Sequence, residues 1–541
     1  MTDAFFAIET EAGPLERPLV WSLTASDTAA GAGMQADVAV ANRLGVQCQC
    51  VVLAITAQNH LGMQASWLVP LEQVQAQWQA LRADGWPAVI RLGWLPEDAA
   101  LFEWLLTVLA DCPAQIVWDP VLKATAVNPA GAGTSDSGAA GLPEQMPGLR
   151  RRLLALVDII TPNESEARWL VGWGQTGQPL PLAEVADQLH KLGPSTVVIT
   201  GGDSETPAQG YSDTGMPLVQ DWVFHYPAED CQQPEQQALS RFVIEHPRLE
   251  IAAHGSGCHF TAALAATLAK GERLYDSLLQ AVNLASASLA AATRRPADYH
   301  NCFATAGPAL TQAGIRVQPL RLETQPEEPE TVVMPLVFPK LDRPLGMYGL
   351  VDNLDWLQQL LALGVDTLQW RVKQQGTDYR AETAAAIRLC EAAGVPLYIN
   401  DDWQLALELN AWGVHLGQED LATADLPALA AAGICLGIST HTEWEIIRAR
   451  SLKPSYIAFG PVFPPLSKRL KYPPLGVARL SRWVAENSDF PLTCIGGITE
   501  QNAGVVLDSG INSVAIVTAL MPDAGLPGRY EAIRQAFEPG W

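Results

Sequence analysis

Residues 254–271 read HGSGCHFTAALAATLAKG, in which Gly255, Ser256 and Gly257 precede an alanine-rich stretch whose spacing predicts an amphipathic helix. The backbone N–H groups of such a turn converge at the positive end of the helix, where they can hold an anion. Cys258 falls in the first helical turn, and we expect the helix dipole to lower the pKa of its thiol and make it a base or nucleophile. The alternative is a glycine turn before a core helix with a buried cysteine, and the spacing leaves both open.

Strand-like runs alternate with helix-length segments throughout the first 320 residues. They lie at 20–24, 51–56, 89–92, 116–119, 158–161 and 196–200. This alternation predicts an α/β domain built on an open, mostly parallel sheet that is covered by helices. The segment 126–148, rich in glycine and alanine, is predicted to be a mobile surface insert.

A proline-rich, acidic segment at 321–344 divides the chain into a first domain at 1–320 and a second at 345–541. Its five prolines resist regular structure, so we predict a linker. Eight strand-like runs follow it, at 348–351, 367–372, 397–401, 413–417, 435–440, 456–462, 492–497 and 513–518. Eight strands that alternate with helices predict a TIM (β/α)8 barrel, in which the chemistry lies at the carboxyl ends of the strands.

Composition narrows the class of protein. The 541 residues include 34 basic and 58 acidic side chains, a net charge of −24, and 48 % are hydrophobic. Apolar content of this size favours folded domains over disorder, and the negative charge disfavours nucleic acid or an anionic membrane as a partner. The apolar runs are too short for a membrane span and the acidic N-terminus does not resemble a signal peptide, so we expect a cytoplasmic protein. Nine cysteines without a CxxC pair argue against a disulfide or zinc framework.

Five motifs in the first domain occur together in a known order. They are GAGMQAD at 31–37, TAQN at 56–59, DPV at 119–121, TPNESE at 161–166 and GSGC at 255–258. In this order and spacing they resemble the hydroxymethylpyrimidine and phosphomethylpyrimidine kinases, which are ribokinase-fold enzymes of thiamine synthesis. The resemblance covers most of residues 17–300.

The resemblance implies a role for each matching residue in phosphoryl transfer from ATP. Asp37 and Gln58 would hydrogen-bond the pyrimidine, and the amides of Gly255, Gly257 and Cys258 would hold the transferred phosphate. Cys258 would be the base on the substrate hydroxyl.

The resemblance also implies a site for Mg²⁺ and the ATP phosphates, formed by Asp119, Asn163 and Glu166. Structural alternatives exist for two of these residues. Asp119 could cap a turn before Pro120, and Asn163 could start a helix.

Four positions depart from the family pattern. Ala29 and Ala30 stand where the family has glycines, Thr200 replaces the lysine of a KGG motif near ATP, and Trp94 replaces a methionine of the pyrimidine pocket. They support an alternative in which the first domain is a pyrimidine- or thiamine-sensing module without catalysis. A vitamin B6 kinase of the same fold is a third reading, disfavoured because Cys258 stands where that relative often has aspartate.

Polar residues mark the second predicted barrel strand. Gln369, Arg371 and Lys373 alternate along LQWRVK and share one side of the strand, so they face the barrel's open end if Trp370 and Val372 face the helices. Such a set can clamp an anion.

Other strand ends carry oxygen ligands and donors. Asn400 and Asp401 close the third strand and Asp420 ends HLGQED, which predicts Mg²⁺ ligands. Ser439 ends the fifth strand, and Lys468 in FGPVFPPLSK adds a mobile cation.

The last two strands end in a predicted phosphate site, which is usual at this end of a barrel. Its residues are Gly496, Gly497, Val517 and Thr518.

The motifs QWRVK, IND, HLGQED, GIS, GPVFPPLSK, CIGGI and AIVT resemble thiamine phosphate synthase over nearly all of residues 345–525. The resemblance implies displacement of pyrophosphate from a pyrimidine diphosphate by hydroxyethylthiazole phosphate. It assigns Mg²⁺ to Asp401 and Asp420. The implied contacts to the diphosphate, the pyrimidine and the thiazole phosphate come from Gln369, Arg371, Lys373, Asn400, Ser439, Ser467, Lys468, Gly497, Val517 and Thr518. Pro465 departs from the family, which has threonine there, while Ser467 retains the second hydroxyl.

Together these features predict a bifunctional enzyme of thiamine biosynthesis that needs ATP and Mg²⁺. The product of the first domain would be the substrate of the second. Its partners would be small pyrimidine and thiazole phosphates, and the sequence leaves a homo-oligomer open.

Overall fold

The computed structural model describes residues 17–59, 62–122, 146–172, 180–202, 216–227, 241–249, 255–291, 315–319, 336–373, 376–464 and 472–537. The chain divides into two compact units. The first comprises Met1–Tyr211, Met216–Tyr226 and Arg248–Leu310, and the second comprises Ser212–Gly215, Pro227–Pro247 and Thr311–Trp541. The linker at 321–344 stays a prediction, since residues 320–335 lie outside the described ranges. Most of the predicted insert, 126–145, also lies outside them, and its last three residues begin a helix.

The first unit is an open sheet with helices. Its strands are β1 (Leu19–Asp27), β2 (Gln47–Asn59), β3 (Gly62–Leu68), β4 (Val89–Leu92), β5 (Gln115–Trp118), β6 (Ile159–Ile160), β7 (Thr196–Ile199) and β8 (Leu218–His225). Its helices are α1 (Gly33–Arg43), α2 (Leu71–Ala83), α3 (Ala99–Leu109), α4 (Met146–Leu154), α5 (Glu164–Leu170), α6 (Leu182–His190), α7 (Ser256–Ala269) and α8 (Leu274–Ala290).

The strands lie in the order β8-β7-β6-β5-β4-β1-β2-β3. Neighbours are parallel except for two antiparallel pairs, β2 with β3 and β7 with β8. All six predicted strands are present, and the prediction of an open, mostly parallel sheet is confirmed. Parallel order brings the carboxyl ends of β4, β5, β6 and β7 to one edge, where the predicted kinase residues follow.

Helix α7 differs from the expected amphipathic helix. Nine consecutive residues, 259–267, are buried, so the middle of the helix has no face exposed to solvent. The small alanine side chains allow α1 and α8 to pack closely on it. The core-helix alternative therefore describes the packing of α7.

The second unit contains a closed barrel of eight parallel strands. They are β11 (Gly346–Val351), β12 (Thr367–Trp370), β13 (Leu397–Asn400), β14 (Gly413–Leu416), β15 (Cys435–Thr440), β16 (Tyr456–Phe459), β17 (Leu492–Ile495) and β18 (Ser513–Ile516). The antiparallel pair β9 (Arg241–Pro247) and β10 (Arg316–Pro319) also falls in this unit. Pairing of β11 with β18 closes the barrel, and all eight predicted strands are present.

Helices connect the barrel strands. They are α9 (Leu354–Leu363), α10 (Tyr379–Ala393), α11 (Trp403–Glu408), α12 (Leu426–Ala431), α13 (Glu443–Leu452), α14 (Gly476–Glu486), α15 (Ala503–Leu507) and α16 (Leu526–Phe537). Alternate residues of each strand pack outward against these helices, as Leu368 and Trp370 do in β12. The inward residues form a smaller core around Tyr348, Tyr398 and Tyr456. In the described part of the chain no helix is both long enough and apolar enough to cross a membrane.

Candidate functional site

The turn before α7 has the geometry that an anion site requires. Gly255 has a φ of 92°, in the left-handed region, and α7 begins at the next residue. A Cβ atom at Gly255 would lie 2.0 Å from the carbonyl oxygen of Gly31, so only glycine allows the turn to approach the GAGMQAD segment. The first amides of α7, including those of Gly257 and Cys258, then lie at the positive end of the helix.

The expectation that the helix dipole lowers the pKa of Cys258 is wrong. The pKa of this thiol is raised to about 12, mainly by desolvation and next by the nearby carboxylate of Asp119. Arg91 acts in the opposite direction, but less strongly than burial. The thiol is therefore protonated at neutral pH.

A buried arginine that the sequence did not single out joins the predicted pyrimidine and metal residues. Arg91, on β4, is 1 % exposed and forms ion pairs with Asp37 (3.2 Å) and Asp119 (2.7 Å). Ser22 also donates a hydrogen bond of 2.5 Å to Asp37. Desolvation raises the pKa of Asp37 while Arg91 lowers it. The carboxylate predicted to contact the pyrimidine is thus already held inside the protein, and its role stays a prediction.

Asn163 and Glu166 form a capping box at the start of α5. The Asn163 side chain accepts the N–H of Glu166 at 2.9 Å, and the Glu166 carboxylate accepts the N–H of Asn163 at 2.9 Å. Glu166 also accepts the N–H of Leu122 at 3.2 Å, which ties α5 to the loop after β5. The helix-start alternative for Asn163 is confirmed, and contact of either residue with a metal or nucleotide stays a prediction.

Thr200 lies at the carboxyl edge, where it pairs with Asn163 in a single parallel bridge. A small cavity beside it is lined by residues that include Glu164, Gln220 and Arg248. Arg248 places a cation beside Thr200, the residue that replaces the lysine of the KGG motif. Sequence reasoning missed it, because it lies 48 residues farther along the chain with no motif around it.

The two remaining kinase positions lie at other strand ends. Gln58 is near the end of β2, where its backbone N–H and C=O both bond the Thr28 hydroxyl, at 2.9 and 2.7 Å. Trp94 follows β4 and is half-buried. Ala30, one of the departures from glycine, has a φ of 58° and so adopts the left-handed conformation without glycine's freedom.

In the barrel, the side chains of β12 alternate between the helices outside and the interior. Trp370 points outward and donates to Thr383 of α10 at 3.0 Å. Gln369 points inward and donates to the Tyr348 hydroxyl at 3.0 Å. Arg371 and Lys373 continue past the strand and are exposed. We call the carboxyl end of the barrel, where these residues lie, the mouth.

Two carboxylates face each other at the mouth. The pKa of Asp401 is raised to about 6 by desolvation and by its hydrogen-bonded neighbour Asp420, whereas Arg371 and Asn400 lower it. Asn400 donates to Asp401 at 2.5 Å, and Gly417 donates its N–H to Asp420 at 3.2 Å. Paired oxygen ligands whose charges repel each other fit a hard divalent cation, because such a cation removes the repulsion. The described residues contain no cluster of three or more His, Cys, Asp or Glu ligands, so a cation here would take its other ligands from water or substrate oxygens.

Ser439 reaches the mouth from β15, and its neighbours were missed by the sequence reasoning. Its hydroxyl lies 2.7 Å from Nε2 of His415, whose Nδ1 lies 2.7 Å from the Tyr456 hydroxyl. The pKa of His415 is lowered to about 3, mainly by burial and next by the nearby Arg371 and His441. The sequence does carry a signal, since His415 opens the motif HLGQED, in which the predicted ligand is the aspartate.

The predicted phosphate site lies after β17 and β18. Gly497 has a φ of 66°, and a Cβ there would lie 2.8 Å from Cβ of Phe463. Val517 and Thr518 begin a short 3₁₀ turn directly after β18. Ser467, Lys468 and Pro465 lie outside the described residues, so their predicted placement is not tested.

The first unit combines an open sheet with a glycine turn at a helix start, and the second is a barrel whose mouth combines a cation with paired carboxylates. This architecture is that of a fusion of two α/β units. The family profile described as Phosphomethylpyrimidine kinase matches residues 27–301, and the profile described as Thiamine monophosphate synthase matches residues 347–520. The chain therefore belongs to both families, with a kinase domain followed by a synthase domain, and is a bifunctional protein of thiamine biosynthesis.

Curated relatives match the second unit. Thiamine-phosphate synthase from Yersinia pseudotuberculosis is 48 % identical over 184 residues, which are 34 % of this chain and 86 % of the relative. The enzyme of the same name from Salmonella paratyphi A is 46 % identical over 184 residues and is covered to 87 %.

Solved structures match the first unit at lower identity. Pyridoxal kinase from Staphylococcus aureus in complex with AMP-PCP is 20 % identical with a TM-score of 0.44, covering 56 % of this chain and 98 % of that one. Phosphomethylpyrimidine kinase from Clostridium difficile is 21 % identical with a TM-score of 0.36, covering 50 % and 100 %.

Proposed function

We propose that the chain performs two consecutive reactions. The first unit transfers a phosphoryl group from ATP to hydroxymethylpyrimidine phosphate, and the second condenses the resulting diphosphate with hydroxyethylthiazole phosphate to give thiamine phosphate and pyrophosphate. The observation that carries the second step is the convergence of Arg371, Asp401 and Asp420 at one mouth. A cation beside paired carboxylates suits a reaction in which a diphosphate leaves.

At the mouth, the leaving pyrophosphate is where negative charge develops. Arg371 and Lys373 lie exposed at this rim and would bind its oxygens, while Gln369 and Asn400 orient them. Mg²⁺ held by Asp401 and Asp420 would neutralise the same charge. The raised pKa of Asp401 supports this assignment, because binding a divalent cation would stabilise both carboxylates in their ionised form.

The thiazole phosphate would bind at the ends of β17 and β18. The left-handed backbone of Gly497 turns the chain sharply there, so that main-chain N–H groups can converge on an anion. The backbone of Val517 and the exposed hydroxyl of Thr518 add to this site. We assign Ser467 and Lys468 to the diphosphate on the resemblance alone.

In the first unit, the amides at the start of α7 would stabilise the transferred phosphoryl group. Because the pKa of Cys258 is raised to about 12, very little thiolate is present at neutral pH to act as the base on the substrate hydroxyl, so we assign stabilisation of the transferred group to the α7 amides and the metal site. Asp119, with Asn163 and Glu166 at the same edge, would hold Mg²⁺ and the ATP phosphates. Thr200 and Arg248 would line the nucleotide side.

Small phosphates would be the only partners of both sites, and the net charge of −24 disfavours polyanions in solution. We propose a cytoplasmic location, because the proposed kinase reaction consumes ATP.

A single assay tests both steps. Purified protein receives each pyrimidine form, with and without ATP and thiazole phosphate, and the diphosphate and thiamine phosphate are quantified. We expect the diphosphate with ATP alone and thiamine phosphate only when the thiazole is added. Binding of the pyrimidine without any diphosphate would contradict the kinase step, and failure to use supplied diphosphate would contradict the synthase step.

A further inference from the structure

A continuous chain of hydrogen bonds crosses the barrel interior between two predicted substrate residues. Gln369 Nε2 lies 3.0 Å from the Tyr348 hydroxyl, which lies 2.9 Å from the Tyr456 hydroxyl. The Tyr456 hydroxyl lies 2.7 Å from His415 Nδ1, and His415 Nε2 lies 2.7 Å from the Ser439 hydroxyl. The first four of these residues are buried, and Ser439 is half-buried at the mouth.

The chain has a direction. An amide nitrogen only donates, so the Tyr348 oxygen accepts from Gln369 and its own proton points to Tyr456. Tyr456 then donates to His415 Nδ1. A neutral imidazole that accepts at Nδ1 carries its proton on Nε2, and this proton is donated to the Ser439 oxygen.

This order determines what Ser439 can do. Its oxygen accepts from His415, so its own proton is left to be donated toward the mouth. Gln418 Nε2 donates to the Ser439 carbonyl at 2.7 Å and fixes the backbone at this point. A hydroxyl held in this way can donate a hydrogen bond to an oxyanion, and it is already oriented before the negative charge develops.

We infer that His415 is a positioning residue of the synthase, present as the Nε2–H tautomer, which holds Ser439 as a hydrogen-bond donor to the diphosphate. The inference rests on the proposed function of the barrel. The tautomer of His415 can be measured without substrate or turnover, so the inference and the proposed function can fail separately.

The first experiment is nitrogen NMR on the full chain labelled with ¹⁵N-histidine, with the His415 signals assigned by their loss in His415→Gln. We expect a directly bonded proton on Nε2 and an unprotonated Nδ1. A proton on Nδ1 would mean that Nδ1 donates to Tyr456 and that Ser439 donates to His415 Nε2, the reverse of the order inferred, and this overturns the inference.

The second experiment compares two amide substitutions. Gln places its amide nitrogen near the position of Nε2 and can still donate to Ser439, whereas Asn reaches only the position of Nδ1. We expect His415→Asn to lower kcat about 100-fold, as expected for one lost oxyanion donor, and His415→Gln to stay within about tenfold of the native enzyme. Substitution of Ser439 by alanine should then add little in the His415→Asn background. The inference would be contradicted if the losses in kcat from Ser439→Ala and His415→Asn multiplied in the double variant. Equal activity of His415→Asn and His415→Gln would also contradict it.

Tyrosine variants supply a matched control. Tyr456→Phe removes a link of the chain, whereas Tyr398→Phe removes the hydroxyl of a neighbouring interior tyrosine, 5.1 Å away between ring centroids, that is not a link. We expect Tyr456→Phe to lower kcat with little change in KM and to disturb the His415 tautomer, and Tyr398→Phe to do neither. An equal loss in both would indicate that only core packing is involved.

Discussion

Asp401 combines two local features that bear on stability. Its backbone has a φ of 65°, which aspartate and asparagine tolerate better than most residues, and its carboxylate faces Asp420. Because the folded-state pKa is raised from 3.8 to about 6, the folded protein favours the protonated form. Ionisation therefore costs stability as the pH rises from about 4 to 6, and this cost persists above pH 6.

From this we predict that Asp401→Asn raises the melting temperature of the metal-free protein, and by more at pH 7.5 than at pH 5. Synthase turnover should fall by about 100-fold or more, because a proposed Mg²⁺ ligand is lost. Thermal melts in a chelator and an assay of supplied diphosphate measure the two effects. Asp402→Asn serves as the control, since its side chain caps α11 through the Leu405 N–H at 3.0 Å and asparagine caps equally well. A lower melting temperature for Asp401→Asn would contradict the prediction.

Arg91 is the buried cation that pairs with the carboxylates of Asp37 and Asp119 inside the first unit. Replacing it by methionine leaves Asp37 and Asp119 without their buried cation, so we expect a loss of about 3–5 kcal/mol in the free energy of unfolding. The exposed pair of Arg152 and Glu103, 2.8 Å apart, provides the comparison. Arg152→Met should cost less than about 1 kcal/mol in the same urea titration followed by tryptophan fluorescence. Similar losses in both variants would show that Arg91 contributes no more than a surface charge.

The sequence indicated which strand ends carry chemistry but not how their side chains pair. Asp37 and Asp119 lie 82 residues apart, and Arg91 links them only after β1, β4 and β5 pair. The lowered pKa expected for Cys258 was wrong for a similar reason. A helix dipole can be read from local sequence, but the desolvation that outweighs it comes from residues distant in the chain.

At the scale of elements, regular alternation made most strands predictable. All eight barrel strands and six strands of the open sheet appear where apolar runs predict them. Strand β8 was missed, and its buried Asp221, which accepts the Gly201 N–H at 3.0 Å, interrupts the apolar pattern. Strand β3 was missed because Gln64 and Ser66 interrupt its apolar pattern, and antiparallel pairing with β2 stabilises it instead.

The start of α7 gives a prediction about one element. Gly255→Ala places a Cβ 2.0 Å from the Gly31 carbonyl and forces alanine into a φ of 92°, so we expect faster hydrogen exchange across the first turns of α7 and a lower melting temperature. Gly257→Ala is the matched control. Its Cβ would meet only Asp119 Oδ1 at 4.0 Å, and alanine in a helix gains about 0.5–1 kcal/mol over glycine. Equal exchange rates in the two variants would show that the turn does not need glycine.

At the scale of the whole molecule, a net charge of −24 coexists with two sites for anions. Among the described residues, few cationic side chains lie near those sites. Arg91 is buried between carboxylates, Arg248 lines the cavity near Thr200, and Arg371 and Lys373 stand at the rim of the mouth. Surface charge of this sign repels a free diphosphate, so capture depends on short-range contacts at each site rather than on long-range attraction.

We expect the diphosphate intermediate to leave the first site into solution, because a negatively charged surface repels it and does not hold it near the protein. We therefore predict that two inactive chains complement each other. Gly255→Ala should lack kinase activity and Arg371→Ala should lack synthase activity, so each alone makes no thiamine phosphate from the pyrimidine monophosphate, ATP and thiazole phosphate. An equimolar mixture should restore production, with each site present at half its native concentration. Supplied diphosphate gives the control, because Gly255→Ala must still use it. A mixture no more active than either variant alone would mean that the intermediate stays with the chain that made it.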